Sequence, residues 1–254
     1  AGVFTMGSTR MSKKRIVITG LGMVSPLGNT VTDNWNNLLA GVSGIGPVTR
    51  FDASNLACQI AGEVKDFDIT QYIPAKEARR MDVFIHYGIA AAFQAIEDAG
   101  LDNIEGLDKT RVGVNIGAGI GGLPSIEATG ADVIAGGIRK INPFFIPGSL
   151  INLIAGHVTI MKGYQGPSYG IVSACTTGAH CIGDAARMIA YGDADIMIAG
   201  GAEGAICTLG MGGFAAMKAL STRNDEPQNA SRPWDKARDG FVLGEGAGVM
   251  VLES

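Results

Sequence analysis

Short apolar runs alternate with longer runs of helical periodicity along this 254-residue chain. The short runs predict buried strands, and apolar residues three or four positions apart in the longer runs predict helices that bury one face. Strands are predicted near 15–20, 59–64, 111–117, 169–174, 195–200 and 241–252, and helices near 32–40, 76–99, 149–162, 176–191 and 209–219. This alternation predicts an α/β fold with a mostly parallel sheet covered by helices on both faces.

The region after the last predicted helix has a different pattern. The segment from Ser221 to Arg238 is polar and contains proline, which predicts a long loop. The apolar segment from Val242 to Leu252 is then interpreted as two paired strands, joined through Gly244-Glu245-Gly246.

Composition restricts the possible classes of protein. Hydrophobic residues make up 46% and charged residues 17%, which is enough apolar material for one large domain. The net charge of −4 argues against nucleic-acid binding, and no apolar segment is long enough to cross a membrane. Four cysteines without paired spacing are interpreted as reduced thiols in a cytoplasmic protein. Residues 1–10 are interpreted as left over from an expression tag, and the domain is assigned to 11–254.

Cys175 lies where a predicted strand, Ile171–Ala174, turns into the helix at 176–191. Thr176 and Thr177 supply residues that favour a helix start. The free N–H groups and the dipole of a helix N-terminus stabilise an anion by roughly 0.3–1 kcal/mol, which favours the thiolate without fully ionising it. Two interpretations follow: Cys175 is a catalytic nucleophile, or it is a small buried core residue.

The three histidines offer no convincing base for this thiol. His180 is five residues beyond Cys175, about one and a half helical turns, so its side chain is predicted to point off another face. His86 and His157 lie in apolar helical segments and are interpreted as structural. The histidines also lack the spacing of a metal site, and no metal or other cofactor is predicted.

A glycine-rich motif competes with Cys175 as the functional centre. The segment Gly117-Ala118-Gly119-Ile120-Gly121-Gly122 follows a predicted strand and matches G-x-G-x-x-G, the dinucleotide-binding fingerprint. However, the motif is far from the first strand, Pro124 interrupts the helix that should follow, and no acid clearly ends a second strand. The alternative interpretation is a tight turn whose glycines let a helix pack close to the sheet.

Several motifs that stand in order along the chain closely resemble the β-ketoacyl-acyl-carrier-protein synthase II family of condensing enzymes. The resemblance runs from about Lys13 to the last residue. The motifs are Gly117 to Gly122, Pro143-Phe144-Phe145, Ser173-Ala174-Cys175-Thr176-Thr177-Gly178-Ala179-His180, Gly200-Gly201-Ala202-Glu203, Arg232-Pro233-Trp234-Asp235 and Arg238-Asp239-Gly240-Phe241-Val242-Leu243-Gly244-Glu245-Gly246-Ala247-Gly248.

The resemblance implies a fold and a reaction. Members have the thiolase fold, two similar α/β halves around a pseudo-twofold axis, and act as homodimers. Their cysteine takes an acyl group from acyl carrier protein, and malonyl-acyl carrier protein then loses carbon dioxide and attacks the acyl thioester. Carried over by motif position, Cys175 is the nucleophile and its N–H is an oxyanion-hole donor. Ile120, Gly210 and Phe214 line the acyl pocket, and Phe145 and Ile146 reach into the partner subunit's pocket.

Basic residues are also implied in carrier-protein binding. Lys76, Arg79 and Arg80 resemble the patch that receives the acidic carrier protein, although the sequence alone favours a solvated helix start. Lys218 stands where the family usually has arginine. The charge is kept, but the two-pronged contacts of a guanidinium are not.

The family's two catalytic histidines and second oxyanion-hole donor lie in a C-terminal half that this sequence does not include. The chain is therefore expected to be the N-terminal half alone and to be inactive by itself. Two other hypotheses stay open: a non-catalytic thiolase-fold scaffold or dimerisation half, and a dinucleotide-binding α/β enzyme.

Overall fold

The computed structural model describes residues 14–254, so the predicted tag at 1–10 lies outside the described residues. The helices are α1 (Val31–Leu39), α2 (Ala75–Ala78), α3 (Val83–Asp98), α4 (Leu123–Gly136), α5 (Phe145–Ser149), α6 (Leu153–Lys162), α7 (Thr177–Tyr191) and α8 (Thr208–Ala216). The strands are β1 (Val17–Val24), β2 (Gly46–Pro47), β3 (Ile60–Ala61), β4 (Val112–Gly117), β5 (Ser168–Tyr169), β6 (Ile196–Glu203) and β7 (Gly246–Glu253).

Five of these strands form one sheet in the order β1-β7-β6-β4-β5. The strand β4 is parallel to β5 and to β6, whereas β7 is antiparallel to β6 and to β1. The α/β class is confirmed, but the sheet is mixed rather than mostly parallel. The apolar pattern could not show this, because a strand buried on both faces has the same continuous apolar run in either orientation.

The two longest helices cover opposite faces of this sheet. Side chains alternate between the faces along a strand. In β6, Ile198 packs in the apolar cluster that contains the buried side of α3, and Met197 packs with Ala185 and Ile189 of α7. The prediction of helices on both faces is therefore confirmed, and α7 lies on the face away from α3.

Glycines in β1 let the backbone of α3 pack directly against the backbone of this strand. A Cβ built on Gly20 would lie 2.1 Å from the carbonyl oxygen of Ala95, and one built on Gly22 would lie 1.8 Å from that of Ala91. No side chain fits into such a gap. The alanine-rich face of α3 and the glycines of β1 are thus matched to each other in size.

Most predicted helices are confirmed within a few residues, and their ends have the expected physical cause. Gly100 after α3 and Gly192 after α7 have φ of 69° and 87°, the left-handed conformation that glycine adopts readily. The helix predicted at 76–99 is interrupted, because the buried carboxylate of Asp82 accepts the N–H of Phe84 and starts α3 anew.

Three local predictions are wrong. The segment Ile171–Ala174 is not a strand; β5 lies earlier, at Ser168–Tyr169. The segment from Val242 to Leu252 is not a pair of strands; it contains the single strand β7, which begins only at Gly246. Pro124 does not interrupt a helix but stands in the first turn of α4, where its missing N–H has no partner to lose.

We predict that Gly22→Ala destabilises the fold strongly, because the added Cβ would overlap a backbone carbonyl that cannot turn aside without moving α3. Overpacking of this kind costs about 1–3 kcal/mol. The matched control is Gly183→Ala in α7, where an added Cβ meets nothing within 4 Å. That change should stabilise the protein by up to about 1 kcal/mol, because alanine is the better helix former. Urea unfolding measures both, and a Gly22→Ala variant as stable as the parent would contradict the packing described.

Candidate active site

A cavity of about 600 Å³ opens beside the start of α7. Its walls come from the turn after β4, from α8 and from the segment that leads into β7, and most of the lining surface is apolar. Cys175 lines this cavity together with Ile120, Phe214, Phe241 and Leu243. The cavity therefore places one thiol against an apolar space of the size that small ligands occupy.

Cys175 is exposed and lies in a 3₁₀ turn, Ala174–Thr176, directly before α7. Ala174 has φ of 51°, a left-handed conformation that residues with a Cβ rarely adopt. The two threonines bind the preceding segment: Thr176 Oγ1 donates to the carbonyl of Ser173 at 2.8 Å, and Thr177 Oγ1 accepts the N–H of Ser173 at 2.9 Å. Thr176 makes no side-chain hydrogen bond to the first turn of α7, so the positive end of this helix stays open at Cys175.

The other three cysteines have a different environment. Cys58, Cys181 and Cys207 are buried, and burial raises the pKa of each thiol, to about 11 for Cys207. A buried thiol with a raised pKa stays protonated and is a poor nucleophile. The interpretation of Cys175 as a buried core residue is therefore wrong, while the interpretation fits the other three.

Glycines allow the start of α7 to reach the carboxyl ends of β4 and β6. A Cβ on Gly117 would lie 2.0 Å from the carbonyl oxygen of Ile171, and one on Gly201 would lie 3.0 Å from the Cα of Gly178. The alternative interpretation of the glycine motif, close approach of backbone segments, is the one that this geometry supports.

The turn at residues 117–122, here called the glycine turn, already has its N–H groups bonded to a carboxylate of the protein itself. Glu203 at the end of β6 accepts the N–H of Ile120 at 2.8 Å and that of Gly121 at 2.9 Å. A phosphate held by this turn would have to displace Glu203 and bear the repulsion of its charge. The arrangement therefore argues against dinucleotide binding at this motif.

Burial raises the pKa of Glu203, although the surrounding backbone N–H groups act in the opposite direction. These donors come from Gly119, Ile120, Gly121 and Gly204. Because they favour the charged form, they offset part of the cost of burying the carboxylate. Glu203 thus ties the turn that carries Ile120 to the strand beneath it.

A second carboxylate positions the helix on the other side of the cavity. Glu127 of α4 accepts the N–H groups of Thr208 and Leu209, the first two residues of α8. The ring of Phe214 in α8 packs edge-to-face on Phe241, with 5.2 Å between the ring centroids. The helix α8 is therefore fixed at its start by Glu127 and further along by the contact of Phe214 with Phe241.

The structure brings together some of the expected pocket residues and separates others. Ile120 and Phe214 line the cavity with Cys175, whereas Gly210 does not. Gly210 is buried in α8, where a Cβ would lie 2.0 Å from the carbonyl oxygen of Ala205, so it serves close packing instead. Phe145 and Ile146 lie in α5, away from this cavity, and the side chain of Ile146 is 61% exposed. Their contact with a partner subunit stays a prediction.

The basic residues lie on two elements. Lys76 and Arg79 are exposed at α2. Arg80 pairs with Glu77 at 3.0 Å, and its guanidinium lies 4.3 Å from the centre of the Phe144 ring. Lys218 is exposed directly after α8, with φ of 56°. Within residues 14–254, Lys76 and Arg79 are thus free of ion pairs, whereas Arg80 is already engaged.

The sequence predicts the roles of the histidines only in part. Burial lowers the pKa of His86 and of His157, and His86 Nε2 lies 2.8 Å from the carbonyl of Ala78, which fits the structural role predicted for both. His180 is not among the residues that line the cavity with Cys175, but the sequence does not predict its contact with the segment before that cysteine. Its Nδ1 lies 2.7 Å from the hydroxyl oxygen of Ser173, two residues before Cys175.

Metal ligands and membrane-spanning helices are both absent from residues 14–254. These residues hold no cluster of three or more histidine, cysteine or acidic side chains that could bind a metal ion. None of the helices described is long and apolar enough to cross a membrane.

Comparison with known proteins gives one consistent result. The model of the β-ketoacyl synthase N-terminal domain matches residues 13–254. The chain is 60% identical to 3-oxoacyl-(acyl-carrier-protein) synthase 2 of Vibrio harveyi over 243 residues, which cover 96% of this chain and 58% of that protein. A crystal structure of a β-ketoacyl synthase from Burkholderia phymatum superimposes with a TM-score of 0.85 at 32% identity, covering 95% of this chain and 59% of that one.

A further solved structure shows a type II polyketide ketosynthase in complex with its acyl carrier protein. It matches with a TM-score of 0.83 and 30% identity, over 96% of this chain and 58% of the matched chain. The chain therefore belongs to the β-ketoacyl synthase family, as its N-terminal domain. It spans somewhat more than half the length of the relatives that it matches.

We predict that Cys175 is the first cysteine to react in the native protein. The three buried thiols are shielded and have raised pKa values, so iodoacetamide near neutral pH should modify Cys175 at least roughly tenfold faster than any of them. Brief treatment followed by peptide mapping measures this, with urea-unfolded protein as the control in which all four cysteines react. Preferential labelling of Cys58, Cys181 or Cys207 in the native protein would sink the assignment.

Proposed function

We propose that the protein that contains this chain is a 3-oxoacyl-acyl-carrier-protein synthase of fatty acid elongation, with Cys175 as its nucleophile. The observation that carries the proposal is the exposed thiol on a left-handed turn, at the open N-terminus of α7 and facing an apolar cavity. The 60% identity to a synthase 2 supports the choice of reaction.

In the first step, the Cys175 thiolate attacks the carbonyl carbon of an acyl thioester carried by acyl carrier protein. A carbon–sulfur bond forms, negative charge collects on the carbonyl oxygen, and the thiolate of the carrier then leaves. Backbone N–H groups at the start of α7, including that of Cys175, are the donors proposed to stabilise this oxyanion. The helix dipole favours both the attacking thiolate and the charge that replaces it.

In the second step, malonyl-acyl carrier protein loses carbon dioxide, and the resulting carbanion attacks the acyl carbonyl carbon on Cys175. A carbon–carbon bond forms, the carbon–sulfur bond to Cys175 breaks, and the Cys175 thiolate leaves, which releases the β-ketoacyl product on the carrier. The developing enolate needs donors of its own, because stabilisation of developing charge usually contributes most to catalysis of this type. Among residues 14–254, His180 is engaged by Ser173, and burial lowers the pKa of His86 and His157. We therefore assign the enolate-stabilising groups to the C-terminal half, as the family resemblance implies.

The acyl tail is proposed to occupy the cavity between Ile120 and Phe214. Burial of each methylene group stabilises a bound chain by about 0.8 kcal/mol, so an apolar wall selects acyl groups over polar ones. The pocket would be completed by Phe145 and Ile146 of a second copy in a homodimer, since the exposure of Ile146 leaves it available.

The carrier protein is proposed to bind at the basic surface near α2. Lys76 and Arg79 supply exposed positive charge there, with Arg80 beside them, and the exposed Lys218 after α8 is proposed as a separate basic contact. A related ketosynthase has been solved with an acyl carrier protein, which supports a partner of this class. We propose that the protein carries out this synthesis in the cytoplasm.

The sheet also suggests a further covering layer. Gly20 and Gly22 of β1 face α3, so Leu21 and Met23 face the opposite side, where they are 44% and 39% exposed. We infer that the C-terminal half covers this apolar face in the complete enzyme. A scaffold without catalysis would need the same cover but no reactive thiol, so alkylation of Cys175 separates the two hypotheses.

We predict that Ile120→Phe in the full-length enzyme shortens the range of acyl chains accepted. The larger side chain fills cavity space, and overpacking by about 1–3 kcal/mol corresponds to a roughly 5- to 150-fold loss for substrates that need that space. Long acyl chains should therefore lose far more activity than short ones. Ile126→Phe is the matched control, since Ile126 lies in α4 outside the cavity lining. Equal losses at every chain length would show that Ile120 does not set the length.

The proposed function itself is tested by product formation. Full-length enzyme should convert acyl- and malonyl-acyl carrier protein into β-ketoacyl product and carbon dioxide, and Cys175→Ala should abolish the condensation. The 254-residue chain alone should give no product even where Cys175 can be labelled, because the enolate-stabilising groups are assigned to the C-terminal half. Turnover by this chain near the full-length rate would refute the assignment of those groups. Condensation by the Cys175→Ala variant would refute the nucleophile.

A further inference from the structure

One side-chain pair beside the cysteine turn has no part in the proposed chemistry. Ser173 Oγ and His180 Nδ1 lie 2.7 Å apart. Ser173 stands two residues before Cys175, His180 lies in the first turn of α7, and neither lines the cavity. The pair therefore links the segment that enters the cysteine turn to the helix that leaves it.

Every polar group of Ser173 is bonded to the region that follows Cys175. Its N–H donates to Thr177 Oγ1 at 2.9 Å, and its carbonyl accepts Thr176 Oγ1 at 2.8 Å and the Thr176 N–H at 3.3 Å. The hydroxyl is held by His180. Among these contacts, the one with His180 is the one that connects Ser173 to a residue beyond Thr177.

These bonds span the strained residue. Ala174, at φ of 51°, lies between Ser173 and Cys175, and a left-handed residue with a Cβ persists only where its surroundings hold it. If Ser173 were released, Ala174 could relax toward an ordinary conformation. Such a change would turn the Cys175 side chain away from the helix N-terminus and the cavity.

We propose that His180 is a positioning residue, which holds Ser173 and thereby keeps the Cys175 thiol at the open end of α7. The proposal rests on the proposed function, in that Cys175 is the reacting group. A hydroxyl both donates and accepts, so a neutral imidazole can accept the Ser173 hydroxyl proton and an imidazolium can donate to the same oxygen. His180 therefore acts through geometry, without exchanging a proton with Cys175.

The test compares Cys175 reactivity in four variants of the full chain: His180→Ala, His180→Asn, Ser173→Ala, and the double variant of Ser173→Ala with His180→Ala. The rate constant for alkylation of Cys175 is followed by peptide mapping. Loss of one hydrogen bond should slow the His180→Ala variant about fivefold. Asparagine places a hydrogen-bonding atom where Nδ1 stood, so His180→Asn should recover to within about twofold of the parent. The double variant should be no slower than the slower single variant, because both remove the same contact.

Two controls separate positioning from general stability. The buried Cys181 and Cys207 report global opening, and their labelling should stay unchanged in His180→Ala. Arg187→Ala, which removes another side chain of α7, should leave Cys175 at the parent rate.

An unchanged Cys175 rate in His180→Ala would overturn the proposal, as would failure of asparagine to restore the rate. Faster labelling of Cys181 in step with the loss at Cys175 would also overturn it, since His180 would then act on the fold as a whole. If Cys175 is not the preferred thiol in the parent, both this proposal and the proposed function fail. If it is preferred and only the variants disagree, the proposed function stands.

Discussion

The geometry around Cys175 depends on how closely backbone segments can approach at the carboxyl ends of β4 and β6. Gly117 and Gly201 carry no side chain where the segment before α7 and the helix itself cross these strands. Any larger residue at Gly117 would overlap the carbonyl of Ile171 and displace the cysteine turn. The strain at Ala174 and the exposure of Cys175 follow from this approach, because the chain must turn sharply to enter α7 directly above the sheet.

Carboxylates then fix the elements that surround the thiol. Glu203 binds the N–H groups of the turn that carries Ile120, and Glu127 binds those at the start of α8. The buried carboxylate of Asp82 accepts from the Ser125 N–H in α4 at 2.9 Å and also begins α3. Each acid satisfies donors that a helix start or tight turn leaves without intrahelical partners. The cavity is thus assembled by local contacts between elements distant in sequence, and not by one continuous segment.

This long-range character explains what the sequence could and could not predict. The strongly periodic helices and the cysteine at a helix start are predictable, because apolar spacing and capping patterns are local signals. The contact between Glu203 and Ile120 joins residues 83 positions apart, and no periodicity marks it. The antiparallel orientation of β7 is not predictable, because a doubly buried strand looks alike in both directions. A proline such as Pro124 is compatible both with the end of a helix and with its first turn. The apolar spacing does not fix where α4 begins, so the sequence alone could not decide between the two.

The same carboxylates have an electrostatic consequence for the cavity. Helix starts carry partial positive charge. At α8, at α4 and at the glycine turn, that charge is neutralised within the chain by Glu127, Asp82 and Glu203. At α7 the side chain of Thr176 leaves it uncompensated. Among the helix starts described around the cavity, that of α7 is thus the one without a compensating carboxylate, so developing negative charge is favoured beside the thiol.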